Sequence, residues 1–246
     1  MPPPRCGQQS RDARPVVQEA LRRALGREPS LAELYTAQAV TRFDGGYGNW
    51  HSPPHGPEAS RSNNWGAVQD AAHFNEYVIW SGITNPSKDA PEVAAYLAQA
   101  APASPLPDQF FYGTDYHVDK GWFRGPYKVY ATPVDGALHV VRLLHRMGVL
   151  DVANQPGATW TDVARRMREQ HYYLGYGDAE QAIRDYARNL RAGGTCFAYL
   201  FGESDPLAPV PASAPAPAPA RNAVATVVAL GLLALAARAF ARARRR

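Results

Sequence analysis

Apolar residues recur at helical spacing over Val16, Val17, Ala20, Leu21, Ala24 and Leu25, so a helix is predicted from about Arg14 to Leu25, with Gly26 as its stop. Ser30-Leu31-Ala32-Glu33 has the form of a capping box, in which Glu33 bonds back to the Ser30 amide. The helix it opens runs through Ala39 and Val40 to about Phe43, and Asp44-Gly45-Gly46 ends it. Residues 49–64 are rich in Pro, Gly, Ser and Asn and read as a loop. Asp89-Ala90-Pro91-Glu92 is a second capping pattern, before a helix carrying Val93, Tyr96 and Leu97. From Phe110 to Tyr130 the chain is aromatic and punctuated by glycine, the pattern of one or two short hairpins. Thr132-Pro133-Val134-Asp135 opens a helix with Leu138, Val141, Leu143 and Leu144, ended by Gly148. Two more helices are predicted, about 161–173 and 179–191, the second capped by Asp178 with Gln181 completing the box. The sum is an α+β domain, mainly helical, with a small β-hairpin lobe.

The pattern also divides the chain. Residues 1–11 are polar and Pro-rich and are expected to be disordered, and 12–203 form the folded domain. Residues 206–220 alternate Pro with Ala or Ser, so 204–221 reads as a semi-rigid linker. Residues 223–237 are apolar or small apart from Thr226. As a helix that run spans roughly 22 Å, or roughly 28 Å if it continues to Ala241 with Arg238 snorkelling, against a hydrocarbon core of ~30 Å. Residues 222–246 are therefore expected to be a membrane anchor with a basic end, touching the membrane through 222–241. The terminal arginines would keep that end cytoplasmic, which would place the domain outside. The N-terminus has no apolar signal region to take it there.

Net charge changes little. The formal +4 owes much to Arg238, Arg242, Arg244, Arg245 and Arg246, so the domain is closer to neutral and a nucleic-acid partner loses its main support. Cys6 and Cys196 are too few for a disulfide framework or a zinc site, and two unpaired thiols are expected. His51 and His55 are separated by Pro53 and Pro54, which forbid the helix that would align them, and no metal or organic cofactor is expected. The 13 Tyr and 5 Trp suit a core, and equally a groove that stacks on sugar rings.

The chemistry centres on Asp44. A carboxyl at a helix C-terminus meets the negative end of the helix dipole, which raises its pKa. Protonated at neutral pH, it could donate to a glycosidic oxygen as the bond breaks. The plainer reading is an Asp-Gly turn. Asp115, in Gly113-Thr114-Asp115-Tyr116, is a second candidate, to steady positive charge or orient water, or else a turn acid. Glu33 and Glu58 are rivals for the acid role, but Glu33 has a cap to make and Glu58 sits in a Pro/Gly loop. Asn63 and Asn64 could bond an N-acetyl group or shape a turn. Trp65, Tyr130, Tyr172 and Tyr173 could stack on sugars or fill the core.

Asp44-Gly45-Gly46-Tyr47-Gly48, followed by Ser62-Asn63-Asn64-Trp65-Gly66, resembles lysozyme-like peptidoglycan hydrolases of the glucosaminidase and N-acetylmuramidase type, including those encoded by phages. In these a helix ends in glutamate before a Gly-Tyr-Gly or Gly-Trp-Gly turn, and a Ser-Asn-Asn loop follows. Trp122-Phe123-Arg124 through Tyr127 and Tyr130 to Pro133 is similar to the family's Phe-Arg-x-Tyr segment, so the likeness spans roughly 31–186. It implies a lysozyme-like fold and hydrolysis of a β-1,4 link between N-acetylated amino sugars. Peptidoglycan strands would be the partner, and the setting a cell envelope or a virion. Taken with the residue-level reading, the site is expected to hold Asp44 and Asp115 as catalytic, and Tyr47, Asn63, Asn64, Trp65, Gln69, Tyr130 and Tyr172 as substrate contacts. The family's glutamate is Asp44 here. The shorter side chain sets the proton roughly 1.5 Å back, and a displacement of about 1 Å can cost ~10²-fold in rate. Two other readings stand beside hydrolysis: a glycan-binding module that has lost the glutamate and no longer cuts, and a virion or envelope structural protein whose lysozyme-like domain is tethered by the Pro/Ala linker and C-terminal anchor.

Overall fold

A computed structural model describes residues 8–45, 62–69, 72–87, 89–98, 109–117, 119–173 and 178–209. Among them are eight helices and one three-stranded antiparallel sheet, a mainly helical α+β architecture. The helices are α1 (Gln8–Leu25), α2 (Leu31–Gly45), α3 (Phe74–Tyr77), α4 (Pro91–Leu97), α5 (Pro133–Arg146), α6 (Val149–Ala153), α7 (Trp160–Glu169) and α8 (Ala179–Phe201). The strands are β1 (Ile79–Trp80), β2 (Phe110–His117) and β3 (Gly121–Lys128), with β3 in the centre of the sheet.

The helical body is built around α2, which is buried without interruption from Glu33 to Thr41. α1, α5, α6 and α8 all pack against it. A helix buried on every side is usually apolar all round, yet this one carries Glu33, Thr36, Gln38 and Thr41 inside. Glu33 is 1% exposed and fully engaged. Its Oε2 accepts from the Ser30 amide at 2.7 Å and the Ser30 hydroxyl accepts from the Glu33 amide at 3.1 Å, the reciprocal box expected from the sequence. Arg27 adds a two-pronged contact, at 2.9 and 2.6 Å, and Asn154 of the turn after α6 donates at 2.8 Å. Four donors thus satisfy a buried carboxylate, the condition for tolerating it. Gln38 donates to the Ser10 carbonyl at 2.8 Å, and Thr41 returns its hydroxyl to Ala37 at 2.8 Å.

The hairpin lobe pairs Phe110 with Lys128 through to His117 with Gly121, as expected for the aromatic stretch. Gly113 is required there by close approach, because a Cβ on it would lie 2.4 Å from the Tyr127 ring. The lobe joins the helical body through the segment after residue 61. Asn64 donates to the carbonyls of Val68 and Lys128, both at 3.0 Å, and accepts from the Val68 amide at 2.8 Å. Asn63, at φ 49, donates to the Tyr130 carbonyl at 3.0 Å. Its own carbonyl lies against α5, where a Cβ on Gly136 would stand 1.8 Å away.

Several local expectations are corrected. α1 begins at Gln8, inside the stretch expected to be disordered, and Ser10 is buried. Pro15 suited a helix starting at Arg14, because a first-turn proline loses no hydrogen bond, but the structure carries the helix one turn and more before it. The N-cap of α4 is Ala90, with no side-chain cap, and Glu92 bonds Asn85 instead. Asp178 caps α8 as expected, but the Gln181 side chain turns to Asp185 rather than completing a box. α7 ends at Glu169, short of 173, and α8 runs to Phe201, well past 191. Cys196 is disulfide-bonded, which overturns the expectation of two unpaired thiols. The other cysteine of the chain, Cys6, lies outside the described residues. The compact unit extends to Ala208: Leu207 is 1% exposed and Asp205 accepts from the Trp160 indole at 2.9 Å. Pro209–Arg246 separates as a second unit, and the proposed anchor over 222–241 lies outside the described residues. Among the described residues no helix is long and apolar enough to cross a membrane.

The four-donor site of Glu33 predicts a large local cost on truncation. Glu33→Ala leaves buried donors unpaired and should destabilise the domain by roughly 2–4 kcal/mol, read from denaturant midpoints. Burial raises the Glu33 pKa, but the bonds from Arg27, Ser30 and Asn154 outweigh it and hold the pKa below the usual carboxylate range. The stabilisation is therefore complete above the unfolded-state pKa of about 4.3 and is lost as pH falls through the lower folded value. The gap between wild type and variant should close in acid.

Candidate active site

α2 leaves the core at its C-terminal end, and Asp44 sits on that last turn, half-buried. Its Oδ2 accepts from the Tyr186 hydroxyl of α8 at 2.7 Å. Tyr186 is held by its neighbours. Tyr173 stacks on it face to face with centroids 4.0 Å apart and planes at 7°, and Phe43 meets its edge at 5.3 Å. Tyr173 is itself tied to the Ala164 carbonyl at 2.9 Å. The chain reaches these tyrosines after α7 by turning through His171 at φ 55. Tyr172 stands next to Asp44 as well. Its buried hydroxyl helps hold the carboxylate form but does not reach hydrogen-bond geometry with any group.

These surroundings push the Asp44 pKa up to about 7. Burial is the largest cause, and the negative charge of Asp115 adds to it, while the Tyr186 bond and the nearby Tyr172 hydroxyl act against it. The raised pKa is in the direction expected for a carboxyl at a helix end. Loss of water around the carboxyl and, to a smaller extent, a second acid within electrostatic reach contribute to the rise.

That second acid is the one the sequence nominated. Asp115 is exposed on β2, and its Oδ1 accepts from the Tyr116 amide at 2.7 Å. Its Oδ2 accepts a long bond from the Tyr127 hydroxyl at 3.4 Å. Tyr127, 1% exposed, in turn accepts from the Gln69 side chain at 3.0 Å. Gln69 is thus the outer end of a Gln69–Tyr127–Asp115 chain, whose acid lies within electrostatic reach of Asp44. Burial and Asp115 both push the Tyr127 pKa well up, so it stays a neutral donor.

The remaining nominated residues divide. Asn64 is buried, and both hydrogens of its amide are spent on backbone carbonyls. Trp65 is 4% exposed and belongs to the main core. Asn63 fixes the Tyr130 backbone, and Tyr130 packs against His139 with ring centroids 5.6 Å apart. Those four support the loop between the two lobes. Tyr172 is at the acid itself. Tyr47 and the rival Glu58 lie outside the described residues, and the other rival, Glu33, is an interior structural group. Tyr186 and Tyr127 were missed as site residues. Both occupy apolar-looking positions, where a tyrosine reads as core. Among the described residues no cluster of His, Cys, Asp or Glu is placed to hold a metal ion.

Two carboxyls in different surroundings, Asp44 half-buried with its pKa raised to about 7 and Asp115 exposed and hydrogen-bonded to Tyr116 and Tyr127, can divide acid and base roles between them. No protein-family model, curated protein or solved structure matches the chain.

Two outcomes follow from the environment of Asp44. Removing the Tyr186 hydroxyl takes away a bond to the ionised form, so Tyr186→Phe should move the Asp44 titration above about 7, followed by carboxyl NMR. The second outcome concerns stability. The folded-state pKa lies above the unfolded one, so the native state binds more protons and stability falls as pH rises from about 4 through about 7. Asp44→Asn removes that penalty and should stabilise the protein by roughly 1–3 kcal/mol at pH 8, with little gain at pH 4.

Proposed function

We propose that the protein is a glycoside hydrolase of lysozyme-like fold that cleaves a β-1,4 bond between N-acetylated amino sugars of peptidoglycan. The observation that carries this reading is Asp44 at the end of α2, its pKa pushed up to about 7 by burial, with Asp115 of the hairpin lobe within electrostatic reach. Asp44 acts as the general acid. It gives its proton to the glycosidic oxygen as the bond to the departing sugar lengthens, and positive charge grows at the anomeric carbon. Asp115, ionised and steadied by Tyr127 and the Tyr116 amide, stabilises that charge or orients the incoming water. Tyr186 fixes the carboxyl through its 2.7 Å bond and Tyr172 acts on the same group, so the proton is offered from one geometry.

The motif likeness around Asp44 and Ser62-Asn63-Asn64-Trp65-Gly66 supports the choice of amino-sugar substrate. The work would take place at a cell envelope or in a virion. The 222–241 segment would tether the domain to a membrane through the Pro/Ala linker. One observation favours a second reading, a module that binds wall glycan without cutting it. Asp44 stands where the resembled family has glutamate, on a shorter arm.

Release of reducing ends from purified peptidoglycan by the full-length protein decides between the two. The hydrolase reading expects activity in wild type, a loss of about 10²-fold or more in Asp44→Asn, and a smaller loss in Asp115→Asn. Its acid limb should fail as pH rises through about 7, where Asp44 gives up its proton. Asp44→Asn cleaving as fast as wild type would remove Asp44 from the mechanism. An inert wild type that binds insoluble wall, with activity appearing in Asp44→Glu, would establish the binding module.

A further inference from the structure

A cavity of about 300 Å³ lies on the outer face of α5, away from Asp44, with Tyr130, Asp135, Leu138, His139, Arg142 and Arg146 around it. We propose that it is a binding site for a phosphate-class oxyanion, gripped by Arg142 and Arg146 and closed on one side by His139 and Tyr130. The helical repeat makes the set. Positions 135, 138, 139, 142 and 146 fall on one stripe of an α-helix, and residues four apart, as Arg142 and Arg146 are, project side by side.

Charge sets the character of this stripe. Several arginines elsewhere face carboxylates: Arg22 and Arg23 with Glu19, Arg27 with Glu33, Arg165 with Glu180, Arg188 with Asp185. Among the described residues neither Arg142 nor Arg146 has a carboxylate partner, although both line one cavity. The one acid there, Asp135, is engaged by the Thr132 hydroxyl at 2.7 Å as part of the α5 cap. Lys128 lies near enough to act on His139, so three cationic side chains converge on one imidazole. Burial first, and then the charges of Lys128, Arg146 and Arg142, lower the His139 pKa.

Two guanidinium forks and an imidazole offer donors from several directions. That suits a tetrahedral oxyanion with three or more accepting oxygens better than a planar carboxylate, which one guanidinium can satisfy. Binding would relieve the field on His139, so the imidazole takes up a proton as the anion enters. Affinity then rises as pH falls through the His139 titration, with Lys128, Arg142, Arg146 and Asp135 as the other charged groups facing it. This site does not depend on the glycosidase reading.

The test follows the His139 imidazole by NMR in the full-length protein, assigned with His139→Asn, during titration with inorganic phosphate at constant ionic strength. The expected result is a saturable shift, a raised His139 pKa in the bound state, and affinity weakened tenfold or more in Arg142→Gln/Arg146→Gln. Both substitutions are at exposed positions, and an unchanged far-ultraviolet spectrum verifies that they fold. Dimethyl phosphate, added as a competitor, separates the sources. Competition assigns the site to a phosphodiester carried on a polymer or headgroup, and its absence assigns it to free phosphate. A response that does not saturate, that chloride reproduces, or that survives in the double variant overturns the proposal.

Discussion

The structure depends on burying α2 along nine consecutive residues, from Glu33 to Thr41. A charged group inside a helix in that position must be answered by other side chains or backbone, since burial removes the water that would do so. Glu33 is answered from the N-terminal side by Arg27 and Ser30 and from the far side by Asn154, so one carboxylate ties α2 to the turns before it and after α6. The same burial dictates where the chain leaves the core. Asp44 emerges one turn beyond Thr41, still hemmed in by Tyr186 and Tyr172, and that position raises its pKa.

The acid is therefore a consequence of how the core ends. Desolvating a carboxylate costs stability, and the fold offsets this only in part, through the Tyr186 bond. Tyr186 comes from α8 and Tyr173 from the turn after α7, while Asp115 comes from the hairpin. The two carboxyls belong to different lobes, and their mutual repulsion is felt across the space between them. Such an arrangement is stable only because each lobe is fixed separately, the helical one by α2 and the sheet by the Tyr127–Gln69 contact and the Asn64 cross-links.

Asn64 also alters how the sequence motif should be understood. A Ser-Asn-Asn turn near an acid suggests hydrogen bonds to a sugar amide. Here the second asparagine staples the loop to β3, and Trp65 beside it anchors the loop in the main core. The motif thus contributes to the site by holding the two lobes in register, and the aromatic groups at the acid itself are Tyr172, Tyr173 and Tyr186.

The sequence by itself determined the helical repeats, the Ser30–Glu33 and Thr132–Asp135 caps and the paired strands between Phe110 and Lys128. These are local matters, fixed by side chains within a few residues of one another. It also singled out Asp44, a carboxyl beside glycine at a helix end, and Asp115, an acid within a glycine-punctuated aromatic stretch. The packing of distant segments brought the two acids within electrostatic reach of each other. It alone made Tyr186, 142 residues further along the chain, the hydrogen-bond partner of the first, and Tyr127 that of the second. It also decided that α1 would continue before Pro15 and that Cys196 would be bonded. Burial and partner choice depend on which distant segments close over a residue, and a periodic pattern tells which face a residue occupies without telling what comes to cover it.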